Sequence, residues 1–177
     1  AVDLSKELRR RHRHQQAGVR KREMEEPRFL FASCQVGAEA TVKAEIESHW
    51  PGLRGSFSRP GFVTFKVSPE VQMAEGVELQ SVFARTYGWC QGSLKGNHAQ
   101  ELAGQFWQQL AGQQGAHLHV WQRDARTPGE GGFEPSITPL ATELGHVILA
   151  ARQEAPLPLN RRAKPGQKVL DCIVVEP

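Results

Sequence analysis

Residues 28–34 read RFLFASC, a continuous apolar run that predicts a buried strand. The next sixteen residues restrict the fold further. After Gly37, apolar side chains recur at Ala38, Val42, Ile46 and Trp50, while Lys43, Glu45 and Glu47 lie largely off that line. The i, i+4 spacing predicts one apolar helix face, and Pro51-Gly52 ends the helix. The chain therefore opens as strand, glycine turn, helix. That arrangement either cradles a phosphate or serves as scaffold. QVGAEA has one glycine where a dinucleotide loop has three, and no Lys-Ser/Thr pair comes after it. Scaffold is the expectation, with Gly37 explained by close packing of helix on sheet.

LRGSFS (53–58) and GFVTFKV (61–67) read as two strands joined by a turn around Arg59, Pro60 and Gly61. Phe62, Thr64 and Lys66 alternate with Val63, Phe65 and Val67, the period of a sheet. Residues 68–83 are expected to hold one or two short helical turns, with Ser68 as N-cap and Pro69 at the first helical position. TYGWCQGSL (86–94) is a further strand. Residues 28–95 thus read β-α-β-β-α-β, the split βαβ or ferredoxin-like arrangement, with both helices expected on one face of the sheet.

The second half has a different rhythm. Asn97 is positioned to cap a helix running to about Gly112, with Leu102, Phe106 and Leu110 buried. HLHVWQRD (117–124) is a strand, and 125–135 a Gly/Pro-rich loop. A second helix spans 136–153, using Leu140, Leu144, Val147, Ile148 and Ala151. Residues 155–167 form a basic, Pro-rich loop, and 168–177 a last strand. Residues 96–177 are therefore a smaller α/β unit, and the fold class is α+β.

Charge is uneven. Residues 1–22 hold eight Lys/Arg and two acids, a net of +6, whereas the rest carries 14 Lys/Arg against 17 acids, a net of −3. Basic blocks attract phosphate backbones without sequence selectivity. With few large apolar residues to anchor it, residues 1–27 are expected to form a disordered tail. No apolar run approaches the roughly 18 residues of a membrane span. Cys34, Cys90 and Cys172 are widely spaced with no CxxC pair, which argues against a zinc site or disulfide framework and for a reducing cytoplasm. The final strand ends in DCIVVEP, so the chain is expected to be a piece of a longer protein.

Signals for catalysis are scarce. GEGG (129–132) lacks the spacing of a nucleotide loop. His117 and His119 share a strand face and could hold a metal, but no third ligand is evident. Glu45 and Glu47 do not share a helix face. Trp50, Trp89, Trp107 and Trp121 are expected in the core rather than as stacking platforms; Trp89 and Trp121, which alternate with polar residues, are the better candidates for exposure. Two basic loops remain. One centres on Arg54, Arg59 and Lys66. The other holds Arg161, Arg162, Lys164 and Lys168, four cations within nine residues.

FLFASCQVGAEATVKAEI, FSRPGFVTFKV and SVFARTYGW together resemble the amino-terminal part of the RlmM-type ribose 2′-O-methyltransferases of large-subunit rRNA, which carry an FtsJ-like catalytic domain. In that family the first strand leads into a (C/R)xPGxE-like turn. Here the stretch is CQVGAE, with Val36 in place of the usual Pro. The G(F/Y)V core of the hairpin matches Gly61, Phe62 and Val63. The (I/V)FAR block matches Val82, Phe83, Ala84 and Arg85, and IVVEP (173–177) resembles the family's next strand and turn. The resemblance covers 28–177 and leaves 1–27 unmatched.

It implies a ferredoxin-like domain at 28–95 and a THUMP-like RNA-binding domain at 96–177. Together these would position structured RNA, large-subunit rRNA above all, for a carboxy-terminal methyltransferase domain of the same protein. That domain would hold S-adenosylmethionine and a Lys-Asp-Lys-Glu type tetrad. No cofactor and no catalytic residue is expected in this chain. The expected RNA contacts are Arg161, Arg162, Lys164 and Lys168, then Arg59 and Arg85. The competing expectation is a ferredoxin-like protein-interaction module with no RNA role, which the core's net negative charge favours.

Overall fold

The computed structural model describes residues 28–71, 73, 78–126 and 132–175. The expectations placed on the tail at 1–27 and on most of GEGG lie outside these residues. The fold is mixed α+β, with two sheets and three helices among the described residues. The elements in chain order are β1 (Phe29–Cys34), α1 (Glu39–His49), β2 (Leu53–Arg59), β3 (Phe62–Val67), β4 (Ala84–Cys90), α2 (Ala99–Gln109), β5 (His117–Arg126), β6 (Phe133–Ser136), α3 (Pro139–Ala150) and β7 (Val169–Val174). No helix among the described residues is long and apolar enough to cross a membrane.

The first sheet has the order β2-β3-β1-β4, with every neighbouring pair antiparallel. β1 is apolar apart from Ser33 because both of its faces are covered. Leu30, Ala32 and Cys34 point to one side, where Val42 and Ile46 of α1 and Val63, Phe65 and Val67 of β3 complete a core. Phe31 and Ser33 point to the other side, also buried. Between β3 and β4 the expected short helical turns are not seen among the described residues. Among the described residues of 68–83 there is one turn, closed by Val71 N–H donating to the Ser68 carbonyl at 3.0 Å, and no helix. Met73 and Leu79 bury themselves in the α1 core. β4 ends at Cys90, four residues short of the expected strand.

The second sheet has the order β6-β5-β7, with β6 antiparallel and β7 parallel to the central β5. Leu118, Val120 and Leu170 face α2 and α3, where Ala103, Phe106, Ala141 and Ile148 close a second core. Three details depart from expectation. All of β6 but Ser136 falls within the stretch read as loop. α2 is preceded by His98 rather than Asn97 at its N-cap position, without a side-chain cap. α3 is shorter than 136–153 and buries Ala141, Gly145 and Ile148, leaving Leu140 exposed. Its start obeys ordinary capping chemistry: the Thr138 hydroxyl accepts from Ala141 N–H at 3.1 Å, and Pro139 takes the first helical position.

A third cluster joins the sheets. Phe31 of β1 and Phe62 of β3 stack at 5.8 Å between ring centroids, and Trp121 of β5 lies 6.2 and 6.0 Å from them. Ile173 of β7 packs alongside. Trp121, though one of the better candidates for exposure, is thus a buried junction residue, as expected of the tryptophans in general. A buried aromatic of this kind is worth about 3–5 kcal/mol against alanine. Arg123 extends the contact, its guanidinium 4.7 Å from the centre of the Phe57 ring while it pairs with Asp124 at 2.6 Å.

Candidate functional site

The strand–glycine–helix turn is occupied from within. The Glu39 carboxylate accepts from Gly37 N–H, 3.0 Å from each oxygen, and from Gly61 N–H at 2.6 Å. Backbone donors that could have held a phosphate at the start of α1 hold this side chain instead. Burial pushes the Glu39 carboxyl up, but those amide bonds outweigh it and bring it below the usual carboxylate range. The scaffold reading agrees with this geometry, although its stated cause does not. Gly37 has φ +92° and open space where a Cβ would stand. Backbone conformation, rather than close packing, favours glycine there.

The side chains that converge lie elsewhere, at one end of the junction between the sheets. On β5, His117, His119, Trp121 and Arg123 alternate with Leu118, Val120 and Gln122, and the parallel register sets Asp171 of β7 beside His119. Past the Trp121 cluster the sheets part, leaving a cleft of about 460 Å³. Ser33 of β1 and Thr86 of β4 line it from the first sheet. His119, Trp121 and Asp171 line it from the second, as do Pro135, Ser136 and Ile137 around β6. Asn160, Arg161 and Arg162 form the remaining wall.

Asn160 holds that wall in place. It adopts φ 50°, a left-handed conformation that asparagine tolerates better than most residues. Its N–H donates to the Leu118 carbonyl at 2.9 Å, and its Oδ1 accepts from Val120 N–H at 2.8 Å. Leu159 forms a parallel bridge to Leu118. The basic loop is therefore stitched to the edge of β5 immediately before Arg161 and Arg162, both of which are exposed.

Beneath them is a polar network. His119 Nε2 lies 2.8 Å from the Arg161 carbonyl. A carbonyl only accepts, so Nε2 carries the proton, and Nδ1 faces Asp171 Oδ1 at 3.9 Å. That oxygen accepts from the Trp121 indole N–H at 2.9 Å. Burial raises the Asp171 carboxyl above its ordinary range, against the opposing pull of the Trp121 bond and His119. With Nε2 tied to a backbone carbonyl, His119 is not placed to take a proton from Ser33. The arrangement suits binding better than nucleophilic catalysis.

The expected site residues separate. Arg161 and Arg162 reach the cleft. Lys164 is exposed, and its backbone N–H donates to Gln167 Oε1. Lys168 turns toward the end of α2, its Nζ 2.5 Å from Gln113 Oε1. Arg59 lies at the end of β2 with its guanidinium 5.6 Å from the Phe57 ring centre, and Arg85 is exposed on β4. None of these four lines the cleft. His117 and His119 do share a face, with rings 6.3 Å apart, and no group of three potential ligands forms among the described residues. Sequence reading missed Asp171. The signal for it was a lone acid interrupting an apolar strand, VLDCIVV.

No family model, no curated protein and no solved structure matches this chain.

Proposed function

We propose that this chain is an RNA-binding unit that grips structured RNA through the cleft between its sheets. On this reading it orients the RNA, large-subunit rRNA by its resemblance to the RlmM-type enzymes, for an S-adenosylmethionine-dependent 2′-O-methyltransferase domain of the same cytoplasmic protein. The carrying observation is that Arg161 and Arg162 stand on a wall fixed by Asn160, above a cleft that also offers hydroxyl, imidazole and indole groups. Arginine on a positioned loop is well suited to phosphate oxygens, and hydroxyls supply neutral contacts to backbone and sugar. The strand order supports the ferredoxin-like part of the reading, since four antiparallel strands ordered β4-β1-β3-β2 are the sheet of a split βαβ unit. The THUMP-like identity of residues 96–177 rests on the resemblance alone.

The test is a salt series of binding to a structured rRNA fragment, comparing the natural chain with an R161E/R162E double variant. Affinity falls in the variant. The slope of log K against log salt shrinks by about two, because each phosphate contact contributes about 0.9. Equal affinity and equal slope would remove the cleft from the interface.

A protein-docking reading has one observation in its favour. Val36, Val82 and Phe83 are 46%, 85% and 48% exposed, and they flank the Cys34–Ala84 pair at the end of β1. An unchanged R161E/R162E result would point there.

A further inference from the structure

The cleft is lined by charges of both signs, and they restrict what it can hold. Arg161 and Arg162, both exposed, line it. So does a carboxylate, Asp171, whose side chain keeps 17% of its surface exposed. Asp171 Oδ1 accepts from Trp121, whereas Oδ2 takes part in no hydrogen bond among the described residues. An ionised carboxylate accepts at both oxygens and donates nothing. A matching ligand therefore carries both an anion and N–H donors, which argues against an acidic peptide. Apolar side chains line the cleft as well. Pro135 and Ile137 are among them, and Ile137 is 58% exposed. A flat ring laid against Ile137 would cover this surface. The volume is that of a small-ligand site, enough for one nucleoside and its phosphate and too little for a duplex.

Resting on the RNA-binding reading, we infer that the cleft takes a single unpaired nucleotide, its phosphate held by Arg161 and Arg162 and the pairing edge of its base read by Asp171. Guanine is the base that fits best. Its ring N–H and exocyclic amino group lie side by side and match the two oxygens of one carboxylate. Adenine and cytosine offer an amino group flanked by an acceptor that faces the carboxylate unfavourably. Uracil offers a single N–H between two carbonyls. Bases that are splayed out of a helix and read on their pairing edge are the usual basis of sequence-selective RNA recognition.

The experiment measures binding of the full chain to four hairpin RNAs that are identical except for one bulged nucleotide, G, A, C or U, with a fully paired hairpin as reference. The bulged-G hairpin binds about tenfold more tightly than the bulged-U hairpin, the discrimination expected of a two-point contact to a base edge. D171N, whose amide oxygen can still accept from Trp121, loses this preference. R161A/R162A weakens all four bulged hairpins by a similar factor. Equal affinity of the natural chain for all four bulges overturns the inference and leaves RNA binding standing. So does a preference for G that survives in D171N. Failure to bind any hairpin, the paired one included, overturns the RNA-binding reading itself. The comparison among bulges needs no variant, so the inference is decided even if D171N does not fold.

Discussion

The Glu39 carboxylate accepts a hydrogen bond from Gly61 N–H at 2.6 Å, tying the start of α1 to the β2–β3 turn across 22 residues of sequence. Gly61 also touches the second sheet, since a Cβ built there would stand 2.7 Å from Pro135 Cδ. One carboxylate thus fixes a turn against which the wall of the cleft is built. Because amide bonds hold the Glu39 carboxyl below its ordinary range, its contribution is present above the unfolded value near 4.5 and is lost as pH falls through the lower folded value. E39Q is expected to cost about 1 kcal/mol at neutral pH, after allowance for solvent screening of a partly exposed group. The deficit should narrow as the buffer is taken below pH 4.5. Urea titrations of both proteins at pH 7 and near pH 4 check this. A deficit that is constant with pH would mean that the charge is not what the amides hold.

Gly37 and Gly61 make a controlled comparison. Both have positive φ, +92° and +70°, but only Gly61 is crowded. G37A should incur backbone strain alone, about 1 kcal/mol. G61A incurs the same strain and also displaces Pro135, so about 2–3 kcal/mol is expected, together with weaker RNA binding as the cleft wall shifts. Denaturation midpoints measured side by side give the order. Equal losses would show that the Gly61–Pro135 approach relaxes without cost.

Much of the fold was legible because periodicity reports burial directly. The Phe62–Val67 alternation, the Val42/Ile46 helix face and the shared face of His117 and His119 all appear where pattern places them. The misreadings share a physical cause, which is that neighbours distant in sequence decided the outcome. FEPS contains a proline and reads as loop. As β6 it is an edge strand, where a missing N–H is tolerated. Leu140 fits an apolar stripe, but packing against β5 uses the small residues Ala141 and Gly145, so the buried face turns away from it. Trp121, expected in the core although its alternation with polar residues made it a candidate for exposure, is buried because the first sheet covers that face. Within the cleft, local charge density found Arg161 and Arg162. It could not separate them from Lys164 and Lys168, nor find Asp171, because only the β5–β7 register sets that acid beside His119.

Asn160 is the residue through which the loop acts, and its two roles can be separated. It tolerates φ 50°, and its Oδ1 satisfies Val120 N–H at 2.8 Å. N160G relieves the backbone but abandons the hydrogen bond, leaving a partly buried donor without its partner, at about 1–2 kcal/mol. N160A loses the bond and adds left-handed strain, for about 2–3 kcal/mol in total. N160D keeps both an acceptor and a tolerant backbone, so its stability should stay close to that of the natural chain. Its new charge beside Arg161 and Arg162 should nevertheless weaken RNA binding, most visibly at low salt. Thermal denaturation and RNA titration of the three variants therefore give two different rankings if Asn160 positions the arginines. A single ranking, in which affinity simply tracks stability, would reduce Asn160 to a structural residue and leave the arginines to find phosphate from an unfixed loop.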